Sequence, residues 1–257
     1  MSDAPDTLCH LRRRLAWTGA VEPRGSRRSL SLSVETVDDA LGGGLALGTL
    51  HELSPAGSAD VGAATGFILA LATLAQMQSC SVLWIQNAFA RIEAGALYGP
   101  GLDCLGLSID RLVALEVTRG GEALWAMEEA LKCRAVKVVI AELYDDKPAD
   151  LTAMRRLSLA AHVGGGLGLL LRHRTCATPS AAVTRWEVAS VLSLRDQFGG
   201  FGRMAFALSL TKNRYGPCGQ WILTWDHHAR VFHSATLPLG VAETTGDRSD
   251  RSLRRAG

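Results

Sequence analysis

The most restrictive feature of this chain is a glycine-spaced turn, Gly57-Ser-Ala-Asp60-Val-Gly62-Ala63-Ala64-Thr65, that runs into an apolar stretch reaching Met77. Its spacing is that of a phosphate loop, G-x-x-x-x-G-K-[ST], which joins a strand to a helix. In that loop backbone N–H groups cradle phosphates, the lysine neutralises them and the hydroxyl ligates Mg²⁺. Here Ala63 stands at the lysine position and Ala64 at the hydroxyl position. Each missing charge-assisted hydrogen bond forfeits about 1.5–3 kcal/mol, and Asp60 would set a negative charge beside any triphosphate. Gly57, Gly62, Ala63, Ala64 and Thr65 therefore read as a vestigial phosphate loop, with nucleotide affinity expected to be weak or absent and no cofactor implied.

The surrounding pattern agrees with a strand–loop–helix unit. Apolar, β-rich runs alternate with helix-like segments, the signature of a sheet covered by helices. Strands are expected at 49–53, 81–85, 112–115, 136–142, 168–172, 186–192, 204–212 and 220–226, and helices at 61–78, 90–97, 121–133 and 150–163. The first five strands are continuously apolar and mostly separated by helices, whereas the last three are closer together and more polar. The expected fold is α/β, a mainly parallel sheet flanked by helices with an antiparallel C-terminal extension. Gly164-Gly-Gly-Leu-Gly168 precedes an apolar strand, so it reads as a helix-to-strand turn. Residues 1–29 form a basic N-terminal segment and linker, 30–239 one α/β domain, and 240–257 a tail rich in charge, Thr, Ser and Gly that is expected to be disordered.

Composition excludes more than it selects. Of the 257 residues 47% are apolar, ample for a core, and the net charge of +2 carries no large basic excess of the kind nucleic-acid binders show. Six cysteines are scattered without C-x-x-C pairing, and they read as reduced thiols of a cytoplasmic protein. The N-terminus lacks the apolar segment of a secretory signal. The apolar run from Val61 falls short of the ~20 residues of a membrane span, so a buried helix is expected and no membrane contact. His227 and His228 are adjacent on a strand and point to opposite faces, and His173 with Cys176 lacks a second ligand pair, so no metal site is expected.

From Val37 the order of features resembles the RecA-type recombinase core: Val37-Asp-Asp-Ala-Leu-Gly-Gly-Gly-Leu-Ala-Leu-Gly-Thr-Leu-His-Glu-Leu53, then the glycine turn, then a long apolar helix. At Ser81-Val-Leu-Trp-Ile-Gln-Asn-Ala88, where a recombinase strand ends in the acids that activate water, this chain offers Gln86, Asn87 and Ala88. A neutral amide orients water but cannot take its proton. The strand Val136-Lys-Val-Val-Ile-Ala-Glu142 ends in an acid as a Walker B strand does, and Glu142 reads either as a magnesium-holding acid or as a structural one. The Ser180-Ala-Ala-Val-Thr-Arg-Trp186 and Lys212-Asn-Arg-Tyr-Gly-Pro217 segments narrow the resemblance to the ImuA family over residues 30 to 233, a family also labelled SulA-like.

What that resemblance implies is a RecA-like, non-catalytic component of damage-inducible, error-prone translesion synthesis. Its implied partners are ImuB, a catalytically inactive polymerase homologue that acts as a hub, and a DnaE-type polymerase, met directly or through ImuB. RecA and single-stranded DNA are further candidates. The rivals are a slow DNA-stimulated ATPase using Thr65 and Glu142, and a SulA-like inhibitor of cell division acting by binding alone.

Three sets of residues are candidates for contact. Arg172, Arg174, Arg185 and Trp186 combine cations for phosphates with a flat group for bases; the opposing reading buries Trp186 at the start of a strand. Lys212, Arg214 and Tyr215 sit on an expected hairpin tip, where they either touch DNA or a neighbour or simply keep an edge soluble. Leu11, Leu15 and Trp17 offer one apolar side of a short basic helix, which either docks on a partner or packs on its own domain.

Overall fold

The structure is a computed structural model that describes residues 27–77, 80–144, 149–174, 179–192 and 202–235. Its elements run β1 (Ser29–Leu30), α1 (Glu35–Leu41), β2 (Leu45–Ala46), β3 (Thr49–Pro55), α2 (Val61–Gln76), β4 (Ser81–Asn87), α3 (Ala88–Ala94), α4 (Gly99–Cys104), β5 (Leu112–Val117), α5 (Gly120–Lys132), β6 (Val136–Leu143), α6 (Leu151–Gly164), β7 (Leu167–Arg172), β8 (Thr184–Ser190), β9 (Met204–Asn213), β10 (Gly219–Asp226) and β11 (Val231–Ser234). Nine strands make one mixed sheet in the order β11-β10-β9-β8-β3-β7-β6-β4-β5, and β1 pairs with β2 in a small ribbon. The strands from β5 across to β8 are parallel, and β8, β9, β10 and β11 follow one another antiparallel. The parallel core and antiparallel extension expected from the sequence are both present, and β8 belongs to both.

Each face of the parallel half has its own apolar core. On one, α2 lies against Leu53, Val82, Trp84, Val138, Ile140, Leu169 and Leu171; on the other, α5 and α6 cover Leu50, Ile85, Val139, Ala141 and Leu170. These residues alternate along their strands, as a two-period pleat requires. A helix apolar on all sides belongs inside a core, and every residue of α2 from Phe67 to Gln76 is buried. Its polar residues are satisfied there: Thr73 donates to the Leu69 carbonyl at 2.9 Å, and the Gln76 amide exchanges two hydrogen bonds with the Ser108 backbone at 3.1 and 2.8 Å. Phe67 anchors the helix among Trp186, Phe206 and Phe232, with ring centroids 6.0, 5.7 and 5.6 Å away. On the opposite face α6 ends hard against α5. A Cβ at Gly164 would lie 1.9 Å from the Leu131 carbonyl oxygen, so only glycine permits that crossing.

Two expectations need correction. Strand β5, expected as one of the continuously apolar strands of the parallel core, is parallel to β4 but lies at the edge of the sheet, with Val113 58% and Leu115 40% exposed. The strand expected at 186–192 begins at Thr184 and ends at Ser190, leaving Leu192 in solvent. The sequence reading also missed α1, α4, β11 and the β1–β2 ribbon, all too short to show a period.

His51 holds the junction between β3, β8 and the ribbon. Its Nε2 lies 2.9 Å from the Ala46 carbonyl and 2.8 Å from Thr49 Oγ1, and its Nδ1 lies 2.7 Å from Thr184 Oγ1. A carbonyl only accepts, so Nε2 carries the proton and Nδ1 accepts from Thr184. Burial outweighs the Ala46 hydrogen bond and lowers the His51 pKa to about 4. Between pH 6.5 and about 4 the unfolded chain therefore binds a proton that the folded chain refuses, and stability falls as pH falls, by about 3 kcal/mol over the window. Urea midpoints measured from about pH 7 down to about pH 4.5 should fall less steeply for His51→Gln than for the parent; equal slopes would remove His51 as the titrating group.

Candidate functional site

In a parallel sheet, ligands bind outside the carboxyl ends of the strands where the connections diverge to opposite faces. Here β3 leads to α2 on one face while β6 leads to α6 on the other, and the glycine turn lies at that end of the sheet. Its charged group is a carboxylate. Asp60 Oδ2 accepts from the Gly57 N–H at 3.1 Å, and Asp60 Oδ1 accepts from the Ser190 N–H at 2.8 Å and the Ser190 hydroxyl at 2.7 Å. The Ser190 N–H first, then its hydroxyl, hold the Asp60 carboxyl below the usual carboxylate range. The loop is thus laced shut on itself and tied to the end of β8 by a fixed negative charge.

The neighbouring positions have structural duties. Ala64 is fully buried against the α2 core, Ala63 packs at its margin, and Thr65 Oγ1 donates to the Val61 carbonyl one turn back at 3.0 Å. Gln86 donates to the Gly95 carbonyl at 3.1 Å, and Asn87 caps α3 by accepting from the Phe89 N–H at 2.8 Å. Both amides hold backbone in place.

Glu142 lies at the carboxyl end of β6, 3% exposed. The Trp84 indole N–H donates to its Oε1 at 2.5 Å, and His173 Nε2 lies 3.4 Å from its Oε2 without forming a hydrogen bond in the described residues. One of its oxygens thus serves to satisfy a buried tryptophan. The rings of Tyr144 and His173 are 5.9 Å apart beside it, and Arg174 is exposed above the Tyr144 ring at 5.3 Å.

The remaining sequence candidates separate. Trp186 is 1% exposed and donates its indole N–H to Thr184 Oγ1 at 2.9 Å, so it is not the free flat group that base stacking needs. Arg172 is equally buried and cannot meet a phosphate on the surface. Its Nε and Nη2 donate to Glu52 Oε1 at 3.0 and 2.7 Å, while Arg185 donates from Nε and Nη2 to Glu52 Oε2 at 3.1 and 2.9 Å. Burial pushes the Glu52 carboxyl up, and the two arginines with their hydrogen bonds outweigh it, holding it below the usual range. The β9–β10 turn lies at the opposite end of the sheet from the glycine turn, because Asn213 pairs with Thr184 and Thr184 with His51 near the amino end of β3. There Lys212 donates to the Ser180 carbonyl at 2.6 Å, Tyr215 lies under the Arg27 guanidinium at 3.5 Å, and Arg214 is exposed. Leu11, Leu15 and Trp17 lie outside the described residues, as do residues 240–257.

Sequence reasoning missed Glu52 and Asp60 Oδ1's tie to Ser190, since both depend on strands more than a hundred residues away. Removing one partner of a buried ion cluster costs about 3–5 kcal/mol because the others stay behind desolvated. Glu52→Ala should lower unfolding free energy by about that amount in urea titration, and a loss under about 1 kcal/mol would mean that the cluster is effectively solvated.

No protein-family model matches the chain. Two curated relatives do, both named Protein ImuA, from Caulobacter vibrioides strains NA1000 / CB15N and ATCC 19089 / CIP 103742 / CB 15. Each is 32% identical over 230 residues, spanning 83% of this chain and 90% of the relative.

Proposed function

Because this chain belongs to the ImuA family, we propose that it serves damage-induced mutagenesis as a non-catalytic adaptor, acting with ImuB and a DnaE-type polymerase in error-prone translesion synthesis. The parallel strand order β5-β4-β6-β7-β3, with the glycine turn leaving β3, supports reading its sheet as a RecA-type core. On that reading the chain keeps the scaffold of a nucleotide-driven protein and uses it for protein contacts.

The observation that carries the non-catalytic reading is the Asp60 carboxylate, fixed across the turn by Ser190 and Gly57. A triphosphate there would meet a like charge with no lysine to offset it, and opening the turn would first break three solvent-exposed hydrogen bonds to the Asp60 carboxylate. Ala64 brings no hydroxyl for a metal and is buried in the α2 core. Loss of charge, loss of hydroxyl and a closed turn all act in the same direction.

Calorimetric titration of the full chain with ATP and Mg²⁺ should show no saturable heat at millimolar nucleotide, with or without single-stranded DNA. Saturable binding would sink the adaptor reading in favour of a nucleotide-regulated one. In cells, deleting the gene should abolish damage-induced mutation, and a variant carrying Asp60→Asn, which leaves the absent lysine absent, should still support it.

A further inference from the structure

We propose that the open face of the antiparallel half is a docking groove for this chain's own C-terminal segment, residues 236–241. Along β9 Phe206, Leu208 and Leu210 are buried under α2, so Ala207 and Ser209 between them face the other way. In the parallel half that other face is covered by α5 and α6, but no residue of β8, β9 or β10 joins the core beneath those helices. Beyond them lies a groove of about 680 Å³ that crosses the strands from Ala56 over Ala189, Ala207 and Ile222 to Ala235. Ala189, Ala207 and Ile222 are only half-buried there, which leaves an apolar floor partly in water.

The described chain ends in the wall of this groove. Ala235 lines it and donates its N–H to the Ile222 carbonyl at 2.8 Å, and the residues that follow are Thr236-Leu-Pro-Leu-Gly-Val241. That segment fits the groove in side-chain parity, reach and chemistry. Phe232 of β11 packs under α2, so by the two-residue period Ala235 faces the groove, and Leu237, Leu239 and Val241 follow at the same parity. Ala56 continues β3 by donating its N–H to the Val188 carbonyl at 2.9 Å, and β3 stands four strand spacings from β11. Those spacings amount to about 19 Å, and six extended residues reach about 20 Å. Pro238 has a fixed φ and holds Leu237 extended before it. No charge occurs from Thr236 to Ala242, whereas Glu243, Asp247 and Arg248 open a charged stretch, so the apolar residues of the tail are gathered in the part that spans the groove. Apolar side chains on both sides leave water when the segment lies down, and a partner that uses this face must first displace it.

A photoreactive benzoylphenylalanine in place of Glu187 tests the docking in the full chain, because Glu187 lines the groove on β8, well inside the sheet from β11. After irradiation, peptide mass spectrometry should find an adduct within one chain that joins position 187 to residues 239–241, which a β11 merely prolonged beside β10 would not bring there. Leu237→Asp combined with Leu239→Asp, both outside the described fold, should abolish the adduct with far-UV circular dichroism unchanged. The same probe in place of exposed Leu159 on α6 should capture nothing from residues 236–241. No adduct at position 187, an adduct to another part of the chain, or one that joins two chains overturns the proposal. So does an adduct that survives the double substitution. Nucleotide titration is independent of either result.

Discussion

The buried carboxylate of Glu52 fixes the middle of the sheet. It lies on β3 and receives Arg172 from β7 on one side and Arg185 from β8 on the other. Burying three ionised groups costs several kcal/mol each, which is recovered only when all are in register and hydrogen-bonded. A slip of either neighbouring strand would turn the cluster from near-neutral to strongly destabilising, so the order β7-β3-β8 is specified electrostatically as well as by apolar matching. The parallel half and the antiparallel half meet at β8, and it is held from four directions: Arg185 to Glu52, Thr184 to His51, Trp186 to Phe67, and Ser190 to Asp60.

That last tie connects the fold to its function. A phosphate loop in use must present its N–H groups to a ligand, and here the Gly57 N–H is taken by Asp60 while Asp60 is taken by Ser190. The turn that in a nucleotide-driven protein responds to its ligand has become a brace between β3, α2 and β8. Glu142 has been drawn into the same economy of structure, since it satisfies the indole of Trp84 inside the α2 core. Both acids, Asp60 and Glu142, are thus held by hydrogen bonds within the fold, which supports the proposed non-catalytic reading.

Much of this was legible in the sequence, for physical reasons that differ by element. Thr49–Pro55, Val136–Leu143 and Leu167–Arg172 are flanked on both faces by helices, so their apolar runs announce them. The helix α2 was legible because sixteen residues without a charge have only an interior to go to. Ala63, Ala64 and Gln86 stood out in the sequence because a motif fixes which residue type is expected at each position. What replaces the lost groups was not legible. Ser190 is 130 residues from Asp60 and Arg185 is 133 from Glu52, and nothing local distinguishes these side chains from solvated ones. Arg172 and Trp186 were misplaced for the same reason: a cation beside an aromatic residue looks alike on a surface and in a core until the partners are known. The chain's 26 N-terminal residues, with Leu11, Leu15 and Trp17, lie outside the described residues.

Strand β5 marks where the two kinds of reasoning part usefully. Its apolar run predicts burial on both faces, and the topology makes it the outermost strand. At that edge Val113 and Leu115 stay exposed beside a row of main-chain groups that β4 does not pair. The opposite edge is shorter and more polar, since β11 has four residues and exposes His233 and Ser234. The edge is not purely apolar either, since its exposed Glu116 carries a charge held by Arg91 at 3.4 Å, so apolar composition alone does not place a strand in the interior of a sheet.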